Sequence, residues 1–137
     1  MPKTIRQAVT IKASPHAVYE ALMDSRKHAA FSGRPARISR KPGGTFTAYG
    51  SYLSGANLDL VPDRKIVQFW RSKNWPAFHY STVTFDLAKV KGGTRLNFTQ
   101  VGVPDNDFKD KKAGWIKSYW KPMKAMLETS GRTGVTR

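Results

Sequence analysis

Three histidines, His16, His28 and His79, are the first residues to weigh for chemistry, because imidazole is both a base near neutral pH and a metal ligand. Their spacing fits no metal-ligand pattern. His79 stands at the head of an alternating stretch and reads as structural. Asp59, Asp63 and Asp86 read as turn or surface carboxylates. Cysteine is absent, which removes thiolate nucleophiles, disulfides and thiolate zinc sites. No glycine-rich loop joins a strand to a helix, as a phosphate cradle requires; Gly43-Gly44 and Gly92-Gly93 read as hairpin glycines. The residues therefore predict a protein that is not an enzyme and needs no metal and no cofactor.

Binding chemistry is better represented. The stretch WRSKNWPAFHYSTVTF, positions 70–85, interleaves aromatic and basic side chains. Such a pattern serves either as a platform on which bases stack or as two strands joined by a corner. Pro76 favours the corner, because proline cannot sit in a central strand. Trp70 then ends one strand and Phe78-His-Tyr-Ser starts the next, and Trp70 and Tyr80 are expected to be taken up by contacts of sheet and helix.

Charge bears on the partner. Lys and Arg number 24 against 9 Asp and Glu, a net +15. This suits nucleic acid, an anionic membrane or an acidic protein surface. The cations are scattered, with no block of five like charges, so no basic tail is expected. No helix-turn-helix pattern and no RNA-recognition consensus occurs, so specific nucleic-acid binding is not expected, and any such binding is non-specific. No apolar run nears the roughly 20 residues that span a bilayer. The stretch MPKTIRQAVTIKASP lacks the core of a signal peptide, and the expected compartment is the cytoplasm.

The elements that would position these residues follow from periodicity and punctuation. Gln7–Lys12 alternates as a half-buried strand. Ser14-Pro15 starts a helix, with serine as cap and proline at the first position, running to about Met23. Asp24–Phe31 is mixed and reads as another turn of helix. Beyond Ala36 the punctuation is that of a meander, a run of about six strands of which five have readable bounds: Thr45–Tyr49, Ser51–Val61, Lys65–Arg71, His79–Val90 and Thr94–Val101, separated by Pro42-Gly-Gly44, Pro62-Asp63, Trp75-Pro76 and Gly92-Gly93. Pro104–Asp107 offers caps for a final helix over Asp107–Glu128, with Trp115, Ile116, Tyr119, Trp120, Met123, Met126 and Leu127 as its apolar stripe. Pro122 should kink it, and Ser130-Gly131 should end it. Tight turns make the strands antiparallel. The predicted class is α+β, a curved antiparallel sheet wrapped around a long C-terminal helix. One domain fills residues 1–137, with an ordered core over about 3–128 and a flexible tail over 129–137.

Five stretches carry a resemblance: GGTF at 43–46, SGANLDLVPDRKIVQFWR at 54–71, WPAFHYSTVTFDL at 75–87, GVP at 102–104 and GWIKSYW at 114–120. As an ordered set they resemble the C-terminal-type domain of the activators of heat-shock protein 90 ATPase, in the START-like (SRPBCC) superfamily. The resemblance runs from Ser14 to about Leu127. It implies the helix-grip fold and a co-chaperone or stress-related interaction module whose partner is a heat-shock protein 90 class chaperone. Members of the superfamily that stand alone also imply a carrier or sensor, holding a small apolar molecule between sheet and helix. The chain is expected to lack the separate N-terminal domain of the full co-chaperones.

Two residue sets are candidates. Phe46, Trp70, Phe85, Phe98, Trp115 and Tyr119 either line a pocket or fill a close-packed core. Arg64, Lys65, Lys111 and Lys112 are candidate contacts for an acidic partner.

Overall fold

The computed structural model describes the backbone of residues 2–136 and the side chains of residues 2–128. The chain begins with β1 (Lys3–Ile11), α1 (Pro15–Met23) and α2 (Ser25–Ser32). Six strands follow: β2 (Arg37–Ile38), β3 (Thr45–Ala48), β4 (Leu53–Val61), β5 (Lys65–Ser72), β6 (Ser81–Val90) and β7 (Gly93–Val103). A 3-10 turn (Asp105–Asp107) leads into α3 (Phe108–Trp115), a π-helical turn (Ile116–Trp120) and α4 (Lys121–Thr136). The expected stop at Ser130-Gly131 and the tail over 129–137 lie outside the residues whose side chains are described.

All strands pair antiparallel in one sheet, in the order β1-β7-β6-β5-β4-β3-β2. The meander is as expected. The first strand also closes onto the last, and it starts earlier than Gln7, because Ile5 faces inward while Lys3 and Arg6 are exposed. In β4 the register skips Leu58, a bulge that leaves this leucine exposed and bends the strand.

Local signals account for the ends of the helices. Ser14 Oγ accepts from the Ala17 amide at 3.1 Å, and Pro15 takes the first helical position. Asp24 caps α2 through Lys27 N, and Gly33 closes it at φ 74°. That hydrogen bond holds the Asp24 carboxyl below its ordinary pKa. Asp107 does not cap α3 as expected. Its carboxylate is turned inward, 2.6 Å from the indole nitrogen of Trp75.

The long C-terminal helix is not one regular spiral. Lys121 N–H bonds back to the Ile116 carbonyl, one residue further than an α-helix allows. Pro122 has no N–H to give the Ser118 carbonyl, and the Tyr49 hydroxyl donates to that oxygen at 3.2 Å instead. The extra residue in the turn brings Trp115, Tyr119, Trp120 and Met123 all inward, while Ile116, expected on the apolar stripe, faces solvent.

Gly55 marks where strand packing is tightest. It lies in register between Phe46 on β3 and Trp70 on β5, whose rings approach to 5.1 Å. A Cβ here would collide with the Phe69 carbonyl and the Phe46 ring. Gly55→Ala is therefore expected to destabilise the protein by about 2 kcal/mol, the scale of overpacking a close-packed interior. Chemical denaturation followed by far-UV circular dichroism tests this, and an unchanged midpoint would contradict it.

Candidate functional site: an aromatic cleft between sheet and helix

The concave face of the sheet carries the aromatic core. Trp115 sits at its centre, with ring centroids 4.3 Å from Phe98, 5.0 Å from Trp70 and 4.5 Å from Tyr119. Each indole N–H has a partner. Trp115 donates to Gln100 Oε1 at 2.7 Å, Trp70 to Gln68 Oε1 at 2.7 Å, Trp75 to Asp107, and Trp120 to Gln7 Oε1 at 2.6 Å. The amides pass the chain on. Gln100 Nε2 donates to Ser81 Oγ, Gln68 Nε2 to Asn57 Oδ1, and Asn57 Nδ2 to the Ser39 and Lys41 carbonyls. This network locks the aromatic rings in place, since a buried polar group left without a partner costs more than a made bond returns.

Packing leaves one cleft of about 160 Å³ where α3 and the π-turn face the ends of β4 and β5. Trp70, Trp75, Trp115 and Tyr119 form aromatic wall; Leu53, Ser72, Gln100 and Gly114 complete it. Tyr49, Tyr52, Arg71, Asp110 and Lys111 border it too. Tyr49 holds φ 52°, a left-handed backbone that a bulky residue seldom adopts, and its hydroxyl is committed to Ser118. Lys111 is ion-paired with Asp107 at 3.4 Å and lies 5.2 Å above the Tyr52 ring.

Of the six candidate pocket residues, Trp70, Trp115 and Tyr119 line this cleft. Phe46 borders a second, shallow depression beside β2 instead. Phe85 and Phe98 line neither. They are packed against each other at 5.4 Å beneath Trp115 and Trp120, fully buried. Of the four candidate cations, Lys111 borders the cleft and Lys112 is exposed nearby on α3. Arg64 and Lys65 are at the far end of β5, about 23 Å away by strand rise, so the structure does not gather the four into one cluster. Tyr80, expected to be buried, is exposed against Phe69, because it immediately precedes β6, whose first residue, Ser81, faces inward.

Behind the cleft, His28 on α2 is almost wholly buried, with Nε2 2.8 Å from the Tyr119 hydroxyl. Burial lowers the His28 pKa to about 4 and pushes the Tyr119 pKa well above its ordinary value, so both are neutral at neutral pH. His79 ties the turn after Trp75 to β7 through the Gly102 carbonyl at 2.8 Å. Among the described residues no group of three His, Asp or Glu side chains could hold a metal, and no helix is long and apolar enough to cross a membrane. The residues missed in the sequence, Asn57, Gln68, Ser72 and Gln100, all share one signal: polar side chains at inward positions of alternating strands.

A curved seven-stranded antiparallel sheet closed by a C-terminal helix, with its aromatic cleft between them, is the helix-grip fold of the START-like (SRPBCC) class. Within that class the chain belongs to the family described as activator of Hsp90 ATPase homolog 1-like protein, which residues 12–128 match. It is similar to the activator of 90 kDa heat shock protein ATPase homolog 2 of Mus musculus, 34% identical over 102 residues, covering 74% of this chain and 31% of that protein. It is likewise similar to homolog 1 of Homo sapiens, 31% identical over 115 residues, covering 84% of this chain and 34% of that protein. The chain thus spans about a third of the length of these relatives. The fold is also that of an HSP90 activator from Plasmodium falciparum, with a TM-score of 0.87 at 23% identity, covering 91% of this chain and 96% of that one.

Proposed function

We propose that this domain is a co-chaperone-type module that binds a chaperone of the 90 kDa heat-shock class and acts on its ATPase. The family match over residues 12–128 carries the reading. The net charge of +15 supports an acidic surface as the docking partner, since opposite fields raise the association rate. For this domain taken alone the affinity is micromolar, because linking a second module multiplies affinity by about 10² or more.

The test is binding and ATPase rate with the host chaperone at about 50 mM and about 200 mM salt. Affinity is expected to fall about tenfold over that range as exposed charges are screened. Because Arg64 and Lys65 are at the start of β5 and Lys111 and Lys112 are on α3 by its other end, they are reversed in separate pairs. Lys111→Glu with Lys112→Glu is expected to weaken binding more than Arg64→Glu with Lys65→Glu, since Arg71 and Lys111 sit together on the cleft and Lys73 is hydrogen-bonded to the Tyr52 carbonyl beside it. No binding at low salt, or full binding by both reversed pairs, retires the reading. Oligonucleotide binding that disappears over the same salt range reports charge alone. Binding that persists at high salt and is lost in Phe78→Ala, the most exposed aromatic, would favour nucleic acid instead.

A further inference from the structure

We infer that Phe78 is the apolar anchor by which this domain docks, a phenyl ring held out from the loop between β5 and β6 for an apolar pocket set in an acidic protein surface. The inference takes its partner from the chaperone reading above. Its place on the molecule rests on the backbone, the bracing and the neighbours of this one residue.

The backbone is strained for a side chain the fold does not use. The His79 N–H bonds back to the Pro76 carbonyl at 3.1 Å, closing a turn over 76–79 in which Phe78 is third. Phe78 has φ 64° there. A third turn residue with positive φ is ordinarily glycine, because a Cβ in the left-handed region carries a steric cost. The other two non-glycine residues with such a φ, among those described, put their side chains to work: Tyr49 bonds the Ser118 carbonyl and Asp63 bonds His16. The Phe78 ring is 92% exposed, so the folded domain gains almost nothing from it. Strain kept at a residue that does not stabilise the fold points to function.

The loop that carries the ring is braced. Arg71 donates to the Trp75 and Pro76 carbonyls, Trp75 Nε1 to Asp107, and His79 Nε2 to the Gly102 carbonyl. The Lys73 N–H donates to the Tyr52 carbonyl, and the Tyr52 hydroxyl donates to Asn74. The ring is therefore aimed before any contact is made. Binding through an ordered loop avoids the entropy of ordering it, which suits a shaped pocket on a protein. A fluid lipid surface needs no such fixed direction.

The neighbours define the chemistry of the partner. Two residues on, Tyr80 lies 6.1 Å from Phe69, and both are exposed on the outer face of the sheet. Phe69 is in register with Thr82, and Thr82 with the exposed Val101, so apolar surface continues across three strands. From Arg64 to Phe85 the chain has no Asp or Glu, while Arg71 and Lys73 flank the turn. Lys111 lies over the ring of Tyr52, whose hydroxyl holds Asn74, so the α3 cations and Phe78 share one end of the molecule. An aromatic anchor inside a rim of cations is complementary to an apolar pocket with an acidic border. A second copy of this chain, also at +15, is repelled.

The test uses the full chain, the host chaperone and the variant Phe78→Gly at about 50 mM and about 200 mM salt. Glycine suits this backbone, so the urea midpoint of the variant is expected to be unchanged or raised. Its affinity is expected to fall at least about tenfold, the scale of an interface hot spot. The factor should be the same at both salts, because apolar burial is not screened, whereas the loss in Lys111→Glu with Lys112→Glu should shrink as salt rises. Leu58→Ala, which removes an exposed leucine on the bulge of β4, should bind as the wild type does. Equal binding by Phe78→Gly, where the wild type binds, overturns the inference and leaves the chaperone reading standing. No wild-type binding at low salt removes both. A lowered midpoint in Phe78→Gly would make the ring structural and also overturns the inference. So does co-sedimentation with phosphatidylglycerol vesicles that is lost in Phe78→Gly, which would make lipid the partner.

Discussion

Replacing Trp115 with alanine is expected to lower the unfolding free energy by about 4 kcal/mol, the scale for removing a buried tryptophan. Trp115 touches Phe85, Phe98, Trp70, Tyr119 and Trp120, so the loss opens a cavity where five rings converge on one indole. It also strands Gln100 Oε1, which accepts the indole N–H. Trp115→Phe separates the two effects. It retains most ring contacts and leaves only the amide oxygen unpaired, for an expected loss of about 1–3 kcal/mol. Urea denaturation of the three proteins measures both. A loss under about 2 kcal/mol for the alanine variant would mean that the helix is not anchored to the sheet through this residue.

The meander was legible because its signals are local. Alternation in β5, β6 and β7 places Ile66, Val83, Phe85, Leu96 and Phe98 inward, and these are buried. Ser14-Pro15 marked α1 by capping chemistry alone. β2, two residues long, carries no period to read. α2 was obscured because only His28 and Phe31 are buried on it, although the cap at Asp24 and Gly33 bracket it.

The final helix shows what a hydrophobic period can and cannot give. It located Trp115, Tyr119, Trp120 and Met123, and Pro122 located the break. A proline inside a helix predicts a kink. The structure answers the missing donor with a π-turn and the Tyr49 hydroxyl, a contact across 69 positions that no local pattern encodes. The cleft was half legible for a related reason. Alternation states which face a side chain occupies and not whether space is left above it. Trp70, beside α3 and Ser72, borders open volume, whereas Phe85 and Phe98, under Trp115, do not.

Acid should destabilise the protein through His28, and the sign follows from its burial. The unfolded chain carries this imidazole at its ordinary pKa of 6.5, whereas the folded protein lowers it to about 4. Between those values the unfolded state holds a proton that the native state lacks, so stability falls as the pH drops. The loss begins near pH 6.5 and is complete near pH 4, at about 3 kcal/mol; above pH 7 His28 contributes no slope. The groups facing it cannot relieve the charge. Tyr119 is buried with its own pKa pushed up, so it stays neutral throughout, and Phe31 packs 4.9 Å from the imidazole. Protonation would place a cation among the rings behind the cleft, where Tyr119 is a wall. The measurement is urea denaturation at pH 7.5, 6, 5 and 4.5 for the protein and for His28→Phe, which has no proton to take up. Carboxylates, including the Asp24 cap, titrate alike in both and cancel in the difference. The wild-type stability is expected to fall relative to the variant by about 3 kcal/mol across the range. Parallel curves would mean that His28 titrates near 6.5 in the folded protein, and that the pocket around it admits water.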